Sequence, residues 1–196
     1  MEEARTQMDT CYFGPLALMK AALPHMRERR SGTIVNVTSV AGLNGLAACG
    51  LYAASKFALE GTSESLAVEL APFNIRIIAV EPGAFRTEFL SSANLITPGG
   101  GREWIKDYQG ENPASAVIQK MRSVAGKQPG DPQKAAERMW DVIAGTGLGE
   151  PLKEKGIGKV LRVLLESDSL GRIQIAIDMR RETLTDLDAI AKSCDF

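Results

Sequence analysis

"GLYAASKFALEGTSESL", residues 50–66, decides how this chain is read. It sets Tyr52 and Lys56 four residues apart near the start of a predicted helix, and side chains at that spacing share one face. The helix is predicted from about 51 to 71, with Leu59, Ser63, Leu66 and Leu70 along one face. A tyrosine and a lysine so placed are common on ordinary helix surfaces. The flanking elements therefore have to show whether the pair does chemistry.

Upstream, "SGTIVNVTS" (31–39) is a turn signal followed by a short β-branched apolar run, the pattern of a buried strand, and Ser39 closes it. "VAGLNGLAACG" then forms a small-residue loop leading to Tyr52. Downstream, "IRIIAVEPG" (75–83) is a second buried strand, ended by Pro82-Gly83. Residues 3–29 read as a helix carrying Leu16, Met19, Leu23 and Met26 at helical spacing. In "GDPQKAAERMWDVI", Asp131 is the N-cap and Pro132 the first helical residue, with Ala135, Met139 and Val142 on one face. A third strand is predicted over 159–167 and a terminal helix over 168–191. Residues 90–125 are predicted as a substrate lid, polar and glycine-rich at first, with Leu90, Leu95, Ile96 and Trp104 as apolar lining. The "GGG" at 99–101 belongs to that lid.

Strands separated by long helices imply an α/β fold with a parallel sheet of about three strands, all within one domain spanning 1–196.

Composition excludes several classes of function. Lys+Arg 23 against Asp+Glu 24 gives a net charge of −1, so no strong field favours nucleic acid or a membrane surface, and "RERR" (27–30) reads as a solvated helix end. No apolar run approaches the roughly 20 residues of a membrane span. The N-terminus "MEEARTQMDT" is acidic and polar, unlike a secretory signal. Cys11, Cys49 and Cys194 are odd in number and widely spaced, which favours a reducing compartment over a disulfide framework. With one histidine, His25, no histidine-rich metal site is expected. The chain is expected to be cytoplasmic.

In a parallel sheet, ligands sit beyond the carboxyl ends of the strands, where Ser39 lies. A phenol, an ammonium and a hydroxyl converging there suit carbonyl–alcohol interconversion. The phenol transfers a proton at the oxygen, the hydroxyl holds that oxygen, and the ammonium stabilises the phenolate. A free tyrosine titrates near pH 10, so lowering its pKa to about 7 takes on the order of 4 kcal/mol of differential stabilisation. A close cation screened from water supplies much of that. None of these groups carries hydride, so a cofactor has to.

"GTIVNVTSVAG", "YAASKFALEG" and "LAVELAPFNIRIIAVEPGAFRTEF" resemble the short-chain dehydrogenase/reductase family, and "LESDSLGRIQIAIDMRRETL" is similar to the tail of its fungal-type members. The resemblance implies a Rossmann-like, doubly wound fold. It implies Tyr52 as general acid/base, Lys56 as ribose ligand and tyrosine activator, and Ser39 as the substrate-oxygen ligand. Pro82, Gly83, Phe85 and Thr87 match the segment that approaches the nicotinamide. It implies NADP or NAD as cofactor, NADP favoured, a small-molecule carbonyl or alcohol as substrate, and a homo-oligomer formed through the helices at 3–29 and 51–71.

Two departures accompany the resemblance. Cys11 stands in "MDTCYFGPLAL" where the family carries asparagine, and a thiol is a weak donor and acceptor for a proton-relay water. The glycine-rich turn after the first family strand, and the strand ending in Asn-Asn-Ala-Gly, have no counterpart here. The chain is therefore expected to be the C-terminal part of the fold, lacking the cofactor-binding half, with the strand at 33–38 left as an edge. The alternative expectation is an inactive relative that serves as an interaction or dimerisation module. A hydrolase built on Ser39 is disfavoured, since no Gly-x-Ser-x-Gly elbow is present and His25 lies in a different helix.

Overall fold

The protein is described by a computed structural model in which residues 1–91, 105–108 and 110–194 are placed. Three parallel strands form one sheet, β1 (Gly32–Val37), β2 (Ile75–Pro82) and β3 (Leu161–Leu165), in the order β1-β2-β3. The register sets Ile34 against Ile77 and Val80 against Val163. Six helices surround it: α1 (Glu2–Met8), α2 (Gly14–Glu28), α3 (Gly50–Leu70), α4 (Pro113–Val124), α5 (Pro132–Ala144) and α6 (Ser167–Lys192).

Alternation along β2 sorts the helices onto two faces. Ile75 and Ile77 pack with Met19 and Leu23 of α2 and Leu59, Ala67 and Leu70 of α3. Ile78 and Val80 point the other way, into a second cluster with Val142 of α5 and Val163 and Leu165 of β3. This is the parallel α/β sheet that the strand–helix alternation predicts, in the doubly wound arrangement that the family resemblance implies. Buried Asn36 ties β1 to α3, its Nδ2 donating to Ser63 Oγ at 2.8 Å.

Capping chemistry explains where several helices begin and end. Asp131 Oδ1 accepts from Gln133 N at 2.9 Å at the start of α5, and Gly145 (φ 66) ends that helix in the left-handed region. Arg76 of β2 donates to the Val142 and Ile143 carbonyls in the last turn of α5.

Three boundaries differ from the sequence reading. The helix expected over 3–29 is interrupted by a π-helical turn, Asp9–Phe13, between α1 and α2. The third strand is shorter than 159–167, because Gly156 (φ 97) and Gly158 (φ 75) hold a turn just before it. The expected lid at 90–125 contains α4, started by a capping box in which Asn112 Oδ1 accepts from Ser115 N at 2.9 Å and Ser115 Oγ accepts from Asn112 N at 3.0 Å. Leu95, Ile96, Trp104 and the glycines at 99–101 lie outside the described residues.

Among the described residues β1 pairs with β2 alone, so its other side is an edge, as expected. An apolar groove of about 390 Å³ runs between that edge and α2, lined by Pro15, Leu18, Met19, Ala22, Ile34 and Val35 among others. No helix among the described residues is long and apolar enough to cross a membrane.

Candidate active site

The carboxyl ends of β1 and β2 and the first turns of α3 meet at one place. Ser39 follows β1 in extended conformation (φ −175, ψ 159), and its Oγ accepts from Ala41 N at 3.1 Å, starting the short 3-10 turn Val40–Gly42. The small-residue loop then leads into α3, which opens at Gly50 and carries Tyr52 in its first turn. The Ser39 hydroxyl lies close enough to the Tyr52 phenol to pull its pKa down. Lys56, one turn further on, donates from Nζ to the Val37 carbonyl at 3.0 Å, and its Nζ lies 5.7 Å from the Tyr52 ring centroid. Thus Ser39, Tyr52 and Lys56, far from contiguous in the chain, share one small volume.

Burial governs the protonation of this trio. It pushes the Tyr52 phenol above its ordinary value, with the Ser39 hydroxyl pulling back down. It pushes the Lys56 ammonium below its ordinary value. The charge of an ionised Cys11, whose thiol is half-buried, would raise both groups. The π-helical turn carries Cys11, whose Sγ accepts from Gln7 Nε2 at 3.0 Å. Such turns insert one extra residue into a helix and re-aim its side chains. The activating effect of Lys56 expected from sequence is not what dominates Tyr52 here, because desolvation outweighs every charge around the ring.

Pro82 ends β2, and the Gly83 amide donates to the Leu165 carbonyl at 2.9 Å. A side chain at Gly83 would meet the Glu166 carboxylate and displace it, so the close approach of the two favours glycine. Glu166 was not singled out from sequence, yet it clamps this segment. Its Oε2 accepts from Ala84 N at 3.3 Å, and its Oε1 accepts from Asp168 N at 3.1 Å at the start of α6. It does so from a backbone with φ 78, rare for a non-glycine residue and found where surrounding structure over-determines a site. Phe85 packs against the α5-side core and pairs with Gly130. The Thr87 hydroxyl accepts from Phe89 N at 3.2 Å, starting a short 3-10 turn, and the Phe89 ring lies 5.8 Å from the Tyr52 ring.

A buried charge cluster supports the site from below. Glu81, the last residue before Pro82, is fully buried, and Arg162 Nε of β3 lies 3.1 Å from its Oε1. The same guanidinium meets Glu60 at 3.1 Å and Glu64, both on α3 one and two turns beyond Lys56. Burial, with the Glu60 charge adding to it, pushes the Glu81 carboxyl up to about 7, while Arg162 opposes. A charged residue inside the apolar run "IRIIAVEPG" is the signal by which sequence reading could have found it.

Beside the Ser39–Tyr52 loop lies a cavity of about 190 Å³, lined by Val40, Ala41, Asn44, Gly45, Leu46 and Arg172 of α6. Burial raises the Cys49 thiol nearby, and Arg172 pulls it down. Among the described residues no group of three or more His, Cys, Asp or Glu side chains could hold a metal ion.

The family description "short chain dehydrogenase" matches residues 1–95, and a solved short-chain dehydrogenase from Streptomyces avermitilis aligns over 100% of this chain with a TM-score of 0.75 and 37% identity. Over residues 1–95 the chain matches the short chain dehydrogenase family. Similar short-chain dehydrogenase relatives include a 3-ketodihydrosphingosine reductase of Bacteroides thetaiotaomicron, 45% identical over 52% of this chain. Another is retinol dehydrogenase 8 of Bos taurus, 58% identical over 41% of this chain. The chain spans 38% and 26% of those two proteins, and 65% of the Streptomyces protein.

Proposed function

We propose that this chain carries the proton-transfer and substrate-binding part of an NAD(P)-dependent oxidoreductase that interconverts a carbonyl and an alcohol. The observation that carries the reading is the convergence of Tyr52 and Lys56 at the end of β1, where Lys56 Nζ lies 5.7 Å from the Tyr52 ring and donates at 3.0 Å to the carbonyl of Val37, two residues before Ser39. In carbonyl reduction, Tyr52 gives its phenolic proton to the substrate oxygen, Ser39 donates a hydrogen bond to that oxygen, and the Lys56 charge stabilises the phenolate left behind. In alcohol oxidation the same groups run in reverse.

The residues fit the nicotinamide end of a dinucleotide. Lys56 spends one of its three hydrogens on the Val37 carbonyl and has two for ribose hydroxyls. When bound, that cofactor supplies the hydride. Among the described residues no glycine-rich turn joins a strand to a helix N-terminus, so the pyrophosphate has no described ligands. NADP is favoured over NAD on family resemblance alone.

The substrate is an apolar small-molecule carbonyl or alcohol. The mainly aliphatic lining beside Ser39 supports this, as do the names of the two relatives, a ketosphingoid reductase and a retinol dehydrogenase. Free thiols at Cys11, Cys49 and Cys194 support a reducing, cytoplasmic setting. Exposed apolar residues on α2 and α3, Leu18, Phe57 and Val68, support assembly through those helices.

A second reading, a non-catalytic interaction module, is favoured by the open β1 edge and its adjoining groove. Calorimetric titration of the folded chain with NADPH and NADH separates the two. Binding that weakens in Lys56→Met supports the oxidoreductase. No binding by a chain with native circular dichroism supports the module.

A further inference from the structure

Helix α6 packs on the body through its first half only. Ser169, Ile173 and Ala176 are buried, and Arg180 Nη2 makes the last tie, donating to the Leu43 carbonyl at 2.7 Å. Every residue from Ile177 to Cys194 is exposed. The body-facing stripe nevertheless continues past that point. Ile173, Ile177, Arg180, Leu184, Leu187 and Ala191 alternate spacings of four and three, the repeat of a helix that packs on another helix along its length. Leu184 is 74% exposed and Leu187 47%, far more than a stripe without a function requires.

We propose that a second copy of this chain covers this stripe, its own α6 lying antiparallel along Leu184 and Leu187. Charge pattern selects both the occupant and its direction. Arg181 and Asp188 lie seven residues apart on the same flank of the stripe, on either side of Leu184. Antiparallel pairing about a two-fold axis near Leu184 brings each Arg181 to Asp188 of the partner subunit, twice over by symmetry. A parallel pair leaves both residues without an opposite charge, because the facing flank carries Thr183 and Ile190. Within one chain Arg181 meets Asp178 at 3.6 Å and Asp188 meets Lys192 at 2.8 Å, exposed pairs that water already competes for and that give way readily. The proposal is independent of cofactor binding and uses a surface other than α2 and α3.

Sedimentation velocity of the full chain across micromolar concentrations tests it. The wild type is expected to dimerise. Leu184→Glu/Leu187→Glu is expected to lose this association step and keep only assembly made through α2 and α3, with unchanged circular dichroism and melting, since both side chains are exposed. Arg181→Glu is expected to weaken the dimer roughly two- to tenfold, two exposed ion pairs being replaced by repulsion, and Arg181→Glu/Asp188→Arg to restore it. A wild type that stays monomeric overturns the proposal. So does association of Leu184→Glu/Leu187→Glu that matches the wild type at every concentration, which would move the interface elsewhere, or a charge reversal that restores nothing.

Discussion

Glu81 and Glu60 face each other across a single guanidinium, that of Arg162, with both carboxylates buried beneath the candidate site. Three elements meet in that cluster. Glu81 ends β2 beside Pro82-Gly83, Glu60 lies one turn past Lys56, and Gly42, in the turn after Ser39, approaches the Glu60 side chain so closely that a Cβ there would sit 3.0 Å from it. One arginine cannot neutralise three glutamates, and the low dielectric makes the second buried charge the costly one.

Stability should therefore fall as pH rises. The Glu81 carboxyl titrates near 7 in the folded protein and near 4.5 when unfolded, so the folded state holds its proton more tightly. Its contribution is complete below about 4.5, declines between there and about 7, and is absent above. The loss is on the order of 3 kcal/mol. Thermal melts of wild type and Glu81→Gln from pH 4.5 to 8 check this: the wild type should lose stability relative to the variant over that window. Parallel curves would remove Glu81 as the titrating group.

Tyr52→Phe deletes one hydroxyl and keeps the ring. If the chain turns over a carbonyl substrate, the variant should lose about 10²- to 10⁴-fold in kcat, the usual worth of a positioned acid. Melting should barely change, because the ring keeps its packing on Phe89. Steady-state assays with a long-chain ketone and NADPH measure it, and retained kcat would take the proton-transfer role from Tyr52.

Gly83→Ala should cost about 1 kcal/mol or more, because the new methyl displaces the Glu166 carboxylate from Ala84 N and from the start of α6. The same substitution in a Glu166→Ala background should cost less. A double-mutant cycle in urea reads the coupling, and additive effects would show that the two residues act separately.

Cys11 should influence Tyr52 at alkaline pH. Both groups are partly buried, and an ionised thiol disfavours a second negative charge beside it. Replacing it, as Cys11→Ser, should shift tyrosinate formation at Tyr52 to lower pH, with Tyr52→Phe identifying its share of the ultraviolet titration. An unchanged titration would place the thiol too far away to matter.

Much of the fold was legible because burial imposes period. "IRIIAV" is nearly continuously apolar, as a strand covered on both faces must be, and Leu59, Ser63 and Leu70 of α3 are buried as their spacing demands. Helix α5 begins where Asp131-Pro132 says it should. Helix α4 was missed although Asn112-Pro113 and Ser115 carried its capping signal, because polar residues around it masked a weak apolar stripe. The π-turn at Asp9–Phe13 left no mark in composition at all.

The sequence by itself determined which groups are available: a phenol and an ammonium one helical turn apart, a hydroxyl closing a strand, and a glycine after Pro82. Those follow from local spacing, since helix and strand geometry depend only on near neighbours. Tertiary structure alone decided their surroundings. It buried Tyr52 and Lys56 deeply enough to push the phenol up and the ammonium down, turned Cys11 toward both, set Glu81 and Glu60 on one guanidinium, and clamped Gly83 with a glutamate 83 residues further along. Desolvation and charge proximity are properties of three-dimensional packing, and no one-dimensional spacing encodes how far water is excluded.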